Sequence, residues 1–230
     1  PPQPNWAGSR NMAETKVSWP APVRFSVLGL ETLGYKGETV LPLTVALFEP
    51  GKAVDMRAKI PFLACSEICI PYEASVSLAL PQGPETTSRE SGLIERFAAR
   101  VPTRDKTSGL RIDRAEIAGS GGSQVIQLAL ASDKMAFGKP DIYTEGPAGF
   151  RFSRPISRLS EDGRTALMRI AVKTRNKKFA TLAGRSLTFT VVDGDRAIER
   201  DVKLTATVGI PNIDGRPAEK TTFSGMAAIL

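Results

Sequence analysis

The chain contains no histidine in 230 residues. That absence excludes Ser-His-Asp and Cys-His nucleophilic catalysis, histidine-ligated zinc and histidine general acid–base work. Cysteine is scarce as well, with Cys65 and Cys69 the only two. Any chemistry is therefore expected to be sulfur chemistry. No apolar run approaches the about 18 residues that a membrane-spanning helix requires. An initiator Met and a signal sequence are also missing ahead of Pro1, so the chain is read as a processed or trimmed piece.

What is present is ordinary for a globular protein: 41% apolar and 24% charged residues, in a length that suits one large domain or two small ones. The net charge of +7 is unevenly placed. Residues 1–100 hold ten basic and ten acidic side chains; residues 101–230 hold 21 and 14. The second half thus carries the whole excess. Its basic residues are scattered among acidic ones, and Lys177-Lys178 is the only adjacent basic pair, so nucleic acid is not the expected partner. A solvated or membrane-proximal surface suits this pattern better.

The dominant period is two, which means strands. Val54, Met56, Ala58 and Ile60 alternate with Asp55, Arg57 and Lys59. Leu41, Leu43, Val45 and Leu47 alternate likewise, as do Ala74, Val76, Leu78 and Leu80. Later come Ile126, Leu128 and Leu130, then Leu187, Phe189 and Val191. Asp162-Gly163 and Asp193-Gly194 mark hairpins between such runs. Short strands at this spacing predict an all-β chain of two antiparallel β-sandwich domains.

One segment has a different period. Ser88–Arg100 places Leu93, Ile94, Phe97 and Ala98 at helical spacing, and Val101-Pro102 ends it. This helix and the polar residues after it form the expected join, giving domains 1–101 and 102–209. Residues 210–230 read as a Pro-rich linker tail ending in apolar Met226–Leu230, which is how the start of a truncated membrane helix would look.

Cys65 and Cys69 are separated by Ser-Glu-Ile. Four residues of extended strand span about 13 Å, far beyond disulfide reach, so a bridge requires a tight turn. Pro61 and Pro71, read as flanking the strands, favour such a turn. A ring of about five residues adds only about 2 kcal/mol by chain entropy, which makes it a poor brace and a convenient redox switch. Glu67 and Glu73, with apolar Phe62, Leu63, Ile68 and Ile70, are expected to raise the thiol pKa values and favour the disulfide. A structural bridge or inert thiols, a redox pair, and soft-metal binding such as Cu(I) all remain open from these residues.

The runs Val40–Val45, Ala64–Ala74 and Ser77–Pro81 resemble the N-terminal periplasmic region of the DsbD/ScsB thiol–disulfide interchange family. Asn5–Asn11, Val17–Pro22 and Gly34-Tyr35 resemble its ScsB-type branch, associated with copper tolerance. The resemblance covers about residues 5–100, and beyond residue 105 it rests on β character and domain order. It implies immunoglobulin-like sandwiches and a protein-disulfide reductase component whose catalytic pair is Cys65 and Cys69, with no cofactor and no metal. Tyr35, Glu67 and Tyr72 are the neighbouring residues, the tyrosines as possible shields of the pair. The implied partners are thioredoxin-like periplasmic proteins of the disulfide-isomerase type and a membrane electron-transfer domain of the same full-length protein. Localisation would be the periplasm, with anchoring to the inner membrane through that domain. The family's DsbD branch spaces its cysteines more widely, so details of its shielding loop do not transfer. The rivals are an immunoglobulin-like binding module with a structural disulfide, and a Cu(I)-binding module. The second domain is expected to be a spacer or docking surface.

Overall fold

Alternation in Val54–Ile60 becomes a long strand because each second side chain has somewhere to pack. Val54 and Ala58 are buried while Arg57 and Lys59 face solvent. The structure is a computed structural model; it describes residues 2–84, 86–174 and 181–209. The chain divides into two units between Ala99 and Arg100.

The first unit is built from strand pairs. β1 (Glu14–Val17) pairs antiparallel with β4 (Leu43–Ala46), and β2 (Val23–Val27) forms a hairpin with β3 (Leu30–Gly34). β5 (Val54–Cys65) and β6 (Cys69–Leu80), 12 residues each, form the longest hairpin of the unit. The segment before β1 lines the other edge of β5. Asn5 exchanges backbone hydrogen bonds with Lys59, and Arg10 with Asp55. β5 is therefore the middle element, and β6 has no second strand neighbour among the described residues.

The unit closes with helix α1 (Ser91–Ala98), shorter than the expected Ser88–Arg100. The Ser88 hydroxyl accepts the Glu90 amide just ahead of the helix, and Phe97 is the helix's buried residue. The apolar core here is small: Val27, Val54, Ala58 and Phe97 are its buried members. The alternation of Ala74, Val76, Leu78 and Leu80 predicts a buried face, and the structure differs. Val76, Leu78 and Leu80 are about half exposed, because β6 is an outer strand bordered on one side only.

The second unit is a sandwich with a full core. One sheet contains β7 (Leu110–Ser120), β8 (Ser123–Ser132), β10 (Phe150–Phe152), β11 (Ile156–Leu159), β12 (Thr165–Thr174) and β15 (Thr205–Ala206). The other contains β9 (Asp141–Glu145), β13 (Ser186–Asp193) and β14 (Arg196–Lys203). All pairings are antiparallel except β15 with β7. Ile117, Ile126, Leu128, Met168 and Ile170 from the first sheet pack with Ile142, Phe189, Val191 and Ile198 from the second.

Two turns of this unit follow their sequence signals. Asp162-Gly163 turns β11 into β12, with Gly163 at φ +65°, and Gly194 at φ +63° turns β13 into β14. Lys177-Lys178, the tail 210–230 and its apolar end lie outside the described residues.

Candidate functional site

The β5–β6 ladder ends in the rung that pairs Cys65 with Cys69. Their sulfurs are bonded and their Cα atoms lie 4.1 Å apart. That spacing matches an antiparallel pair whose backbones do not hydrogen-bond to each other. Three residues, Ser66, Glu67 and Ile68, close the turn, and the Ser66 amide donates to the Ile68 carbonyl.

The register explains the two prolines and corrects their assignment. Pro61 and Pro71 lie inside β5 and β6, opposite Glu73 and Leu63, rather than at strand flanks. Odd-numbered residues of β5 turn their backbone groups away from β6, as the bonds of Asp55 and Lys59 to Arg10 and Asn5 demonstrate. Pro61 shares that parity, and Pro71 is its counterpart on β6. Each lacks an N–H only where the β5–β6 ladder has no use for one, so the hairpin passes through both.

Side chains alternate across the ladder, so residues divide between two faces. The disulfide shares its face with Leu63, Pro71, Pro61 and Glu73. The carboxylate of Glu73, expected to act on the thiols, lies 3.9 Å from the Lys59 ammonium instead. Glu67 sits at the crest of the turn, exposed. Ile68 is 59% exposed, and Leu63 and Ile70 are each more than two-fifths exposed. The apolar neighbours therefore give the tip an apolar surface, and the two cysteines beneath it are half-buried.

The two tyrosines are committed elsewhere. Tyr72 stands opposite Phe62, three rungs from the cysteines and on the other face. Their rings stack with centroids 5.8 Å apart. Tyr35 follows β3, and its hydroxyl donates to the Pro20 carbonyl over 2.8 Å. Burial pushes its phenol up to about 12. Neither ring is brought against the disulfide by a ring contact or hydrogen bond among the described residues.

The sequence reading did not connect Phe62 to Tyr72. The signal was available: once Cys65 and Cys69 share a rung, counting three residues back from one and forward from the other reaches that pair. Chemically, the arrangement presents a half-buried disulfide at the end of a long ladder, beside an exposed turn.

Residues 2–81 match the family described as thiol:disulfide interchange protein DsbD, N-terminal. Residues 100–207 match a domain of unknown function. Among solved structures, the chain is similar to the N-terminal periplasmic domain of ScsB from Proteus mirabilis, at 19% identity and a TM-score of 0.65. That similarity covers 89% of this chain and 77% of the other. No curated protein matches the chain. The expected all-β, immunoglobulin-like fold class is borne out.

Proposed function

We propose that this chain, whose first unit is a thiol–disulfide interchange domain of the DsbD/ScsB N-terminal type, relays electrons through Cys65 and Cys69 to periplasmic thiol proteins. The observation that carries the reading is the position of the disulfide: the last rung of the ladder, on an exposed apolar tip. A bridge placed to brace a sandwich would join distant strands. This one joins two strands already held by a long ladder.

The relay has two half-reactions. A dithiol donor's thiolate attacks one sulfur of Cys65–Cys69, breaking their bond and forming a mixed disulfide. The donor's second thiol then attacks that mixed disulfide, leaving the donor oxidised and both cysteines as thiols. In the second half, one cysteine thiolate attacks the disulfide of an acceptor, and the other cysteine resolves the product. Two electrons and two protons pass to the acceptor in total. No acid–base residue is needed beyond the thiols and water, which suits a chain without histidine.

The donor fitting this scheme is a membrane electron-transfer domain, and the acceptors are thioredoxin-like proteins of the disulfide-isomerase type in the periplasm. The apolar tip of Leu63, Ile68 and Ile70 is the surface such partners would cover. The domains are read as 1–101 for the relay and 102–209 for a docking or spacing unit.

The test is equilibration of the chain in graded dithiothreitol or glutathione buffers, with thiol alkylation read by mass. A reversible two-electron transition between about −300 and −120 mV supports the relay. A bridge that stays closed far below that range defeats it and favours a binding module with a structural disulfide.

A further inference from the structure

The fold distributes the charges of the second half unevenly between the two sides of the sandwich. Strand register places Arg151, Arg158, Arg169, Lys173, Arg114 and Arg111 on the outward face of the sheet that contains β7, β8 and β10–β12. Register adds Glu116, which pairs with Arg114, while Asp113 in the β7 bulge and Asp133 at the end of β8 both pair with Arg111, so basic side chains outnumber acidic ones there by six to three. The opposite sheet is reversed in sign. Its outward positions hold Asp141, Glu145, Glu199, Asp201 and Lys203, and Arg104 is bound to Glu199 and Asp201, so acidic side chains outnumber basic ones there by four to two.

The apolar core lies between the two sheets, and the arginines at inward positions of β14, Arg196 and Arg200, are held by Asp193 and the Thr103 carbonyl. The unit is therefore a two-layer electrical dipole, positive outside one sheet and negative outside the other. Sequence spacing hides this, because basic and acidic residues alternate in the chain while pairing registers separate them.

We infer that the basic outer sheet face docks on the surface of an anionic lipid bilayer. Three features favour a planar polyanion. The charges are spread over strands that span about 14 Å at about 4.8 Å per strand, rather than gathered round a cleft. Exposed Ile156 and Leu167 lie on the same face, between the arginines, as suits shallow contact with an interface. The opposite, acidic sheet is repelled by the same surface, so the dipole fixes which side faces the lipid. The face offers no outward-stacked aromatic residue among the described positions, which argues against single-stranded nucleic acid.

The test uses the full chain and co-sedimentation with vesicles. One set is phosphatidylcholine alone; the other contains about 30% phosphatidylglycerol. Arg151→Glu with Arg158→Glu, both exposed, changes the face. Lys16→Glu with Lys52→Glu makes the same change in net charge in the first unit. The unaltered chain is expected to bind the anionic vesicles, not the neutral ones, and to be released as salt is raised.

The Arg151/Arg158 variant is expected to lose about tenfold or more in affinity, and the Lys16/Lys52 variant to keep its binding. Circular dichroism of both variants checks that the sandwich is folded. Equal loss in both variants, or no preference for anionic vesicles, overturns the inference. Binding to an acidic protein with no vesicle preference overturns it too, in favour of a protein partner. The redox potential of Cys65–Cys69 plays no part in this readout.

Discussion

Tyr72 stacks on Phe62 three rungs below Cys65–Cys69, on the opposite face of the same two-stranded ladder. The pair stiffens the hairpin next to the turn while leaving the disulfide's own face to Leu63 and Pro71. Tyr72→Ala is expected to cost up to about 1 kcal/mol of stability in the first unit, the usual worth of an aromatic cross-strand pair. The potential of the disulfide should not move, because the ring does not touch the sulfurs. Exchange with a reduced thioredoxin as probe should slow about tenfold if the aromatic surface is part of the docking area. Stopped-flow fluorescence and redox titration separate the two effects.

Reduction of the disulfide should be a local event. The ring is short, so opening it should lower the stability of the first unit by about 2 kcal/mol at most. The second unit has its own continuous core and should melt unchanged. Calorimetry of the oxidised chain, the reduced chain and the Cys65→Ser/Cys69→Ser variant checks this. A collapse of both transitions on reduction would mean that the bridge supports the whole fold.

Much of this site is legible in the sequence, and the remainder depends on pairing. The cysteine spacing, the alternation of Val54–Ile60 and the glycine turns identify strands and a hairpin without reference to distant residues. Pro61 and Pro71 mislead, because a proline reads as a boundary unless the direction of each backbone amide is known. Val76, Leu78 and Leu80 mislead for a related reason. Alternation shows that a strand has one apolar face, whereas what covers that face depends on the neighbours of its sheet. The segregation of charge in the second unit is invisible for the same cause, since only the register tells which arginines share a side.

Tyr35 supplies an alkaline signature. Its hydroxyl is half buried and bonded to Pro20, and its phenol is pushed up to about 12. The unfolded chain loses that proton near 10, so between about pH 10 and 12 the unfolded state binds fewer protons than the folded one. Stability should therefore fall through that window, and less so in Tyr35→Phe. At neutral pH, Tyr35→Phe should itself cost about 1 kcal/mol through the lost hydrogen bond. Ultraviolet titration of phenolate together with urea melts at each pH provides the check.

The segment that leads into the second unit gives an acidic counterpart. Thr103 exchanges backbone hydrogen bonds with Ala197 and Glu199, extending the β14 side of the sheet. Arg104 spans Glu199 and Asp201, while Arg200 donates to the Thr103 and Asp105 carbonyls. The Thr188 hydroxyl, with Arg104 beside it, holds the Asp201 carboxyl below the usual carboxylate range. Thr107 and Thr103 do the same for Asp105. A depressed carboxylate stabilises the folded state above its unfolded pKa of about 4, and that contribution is lost as pH falls through the lower folded value. The segment should consequently loosen from β14 as pH falls below about 4, before the core does. Hydrogen exchange read by mass should show the amides of Thr103 and Glu199 losing protection first. Arg104→Ala should bring the same loss at neutral pH. If those amides stay protected until the whole unit unfolds, the backbone pairing alone holds the segment, and the Arg104 contacts are surface ornament with no role in attachment.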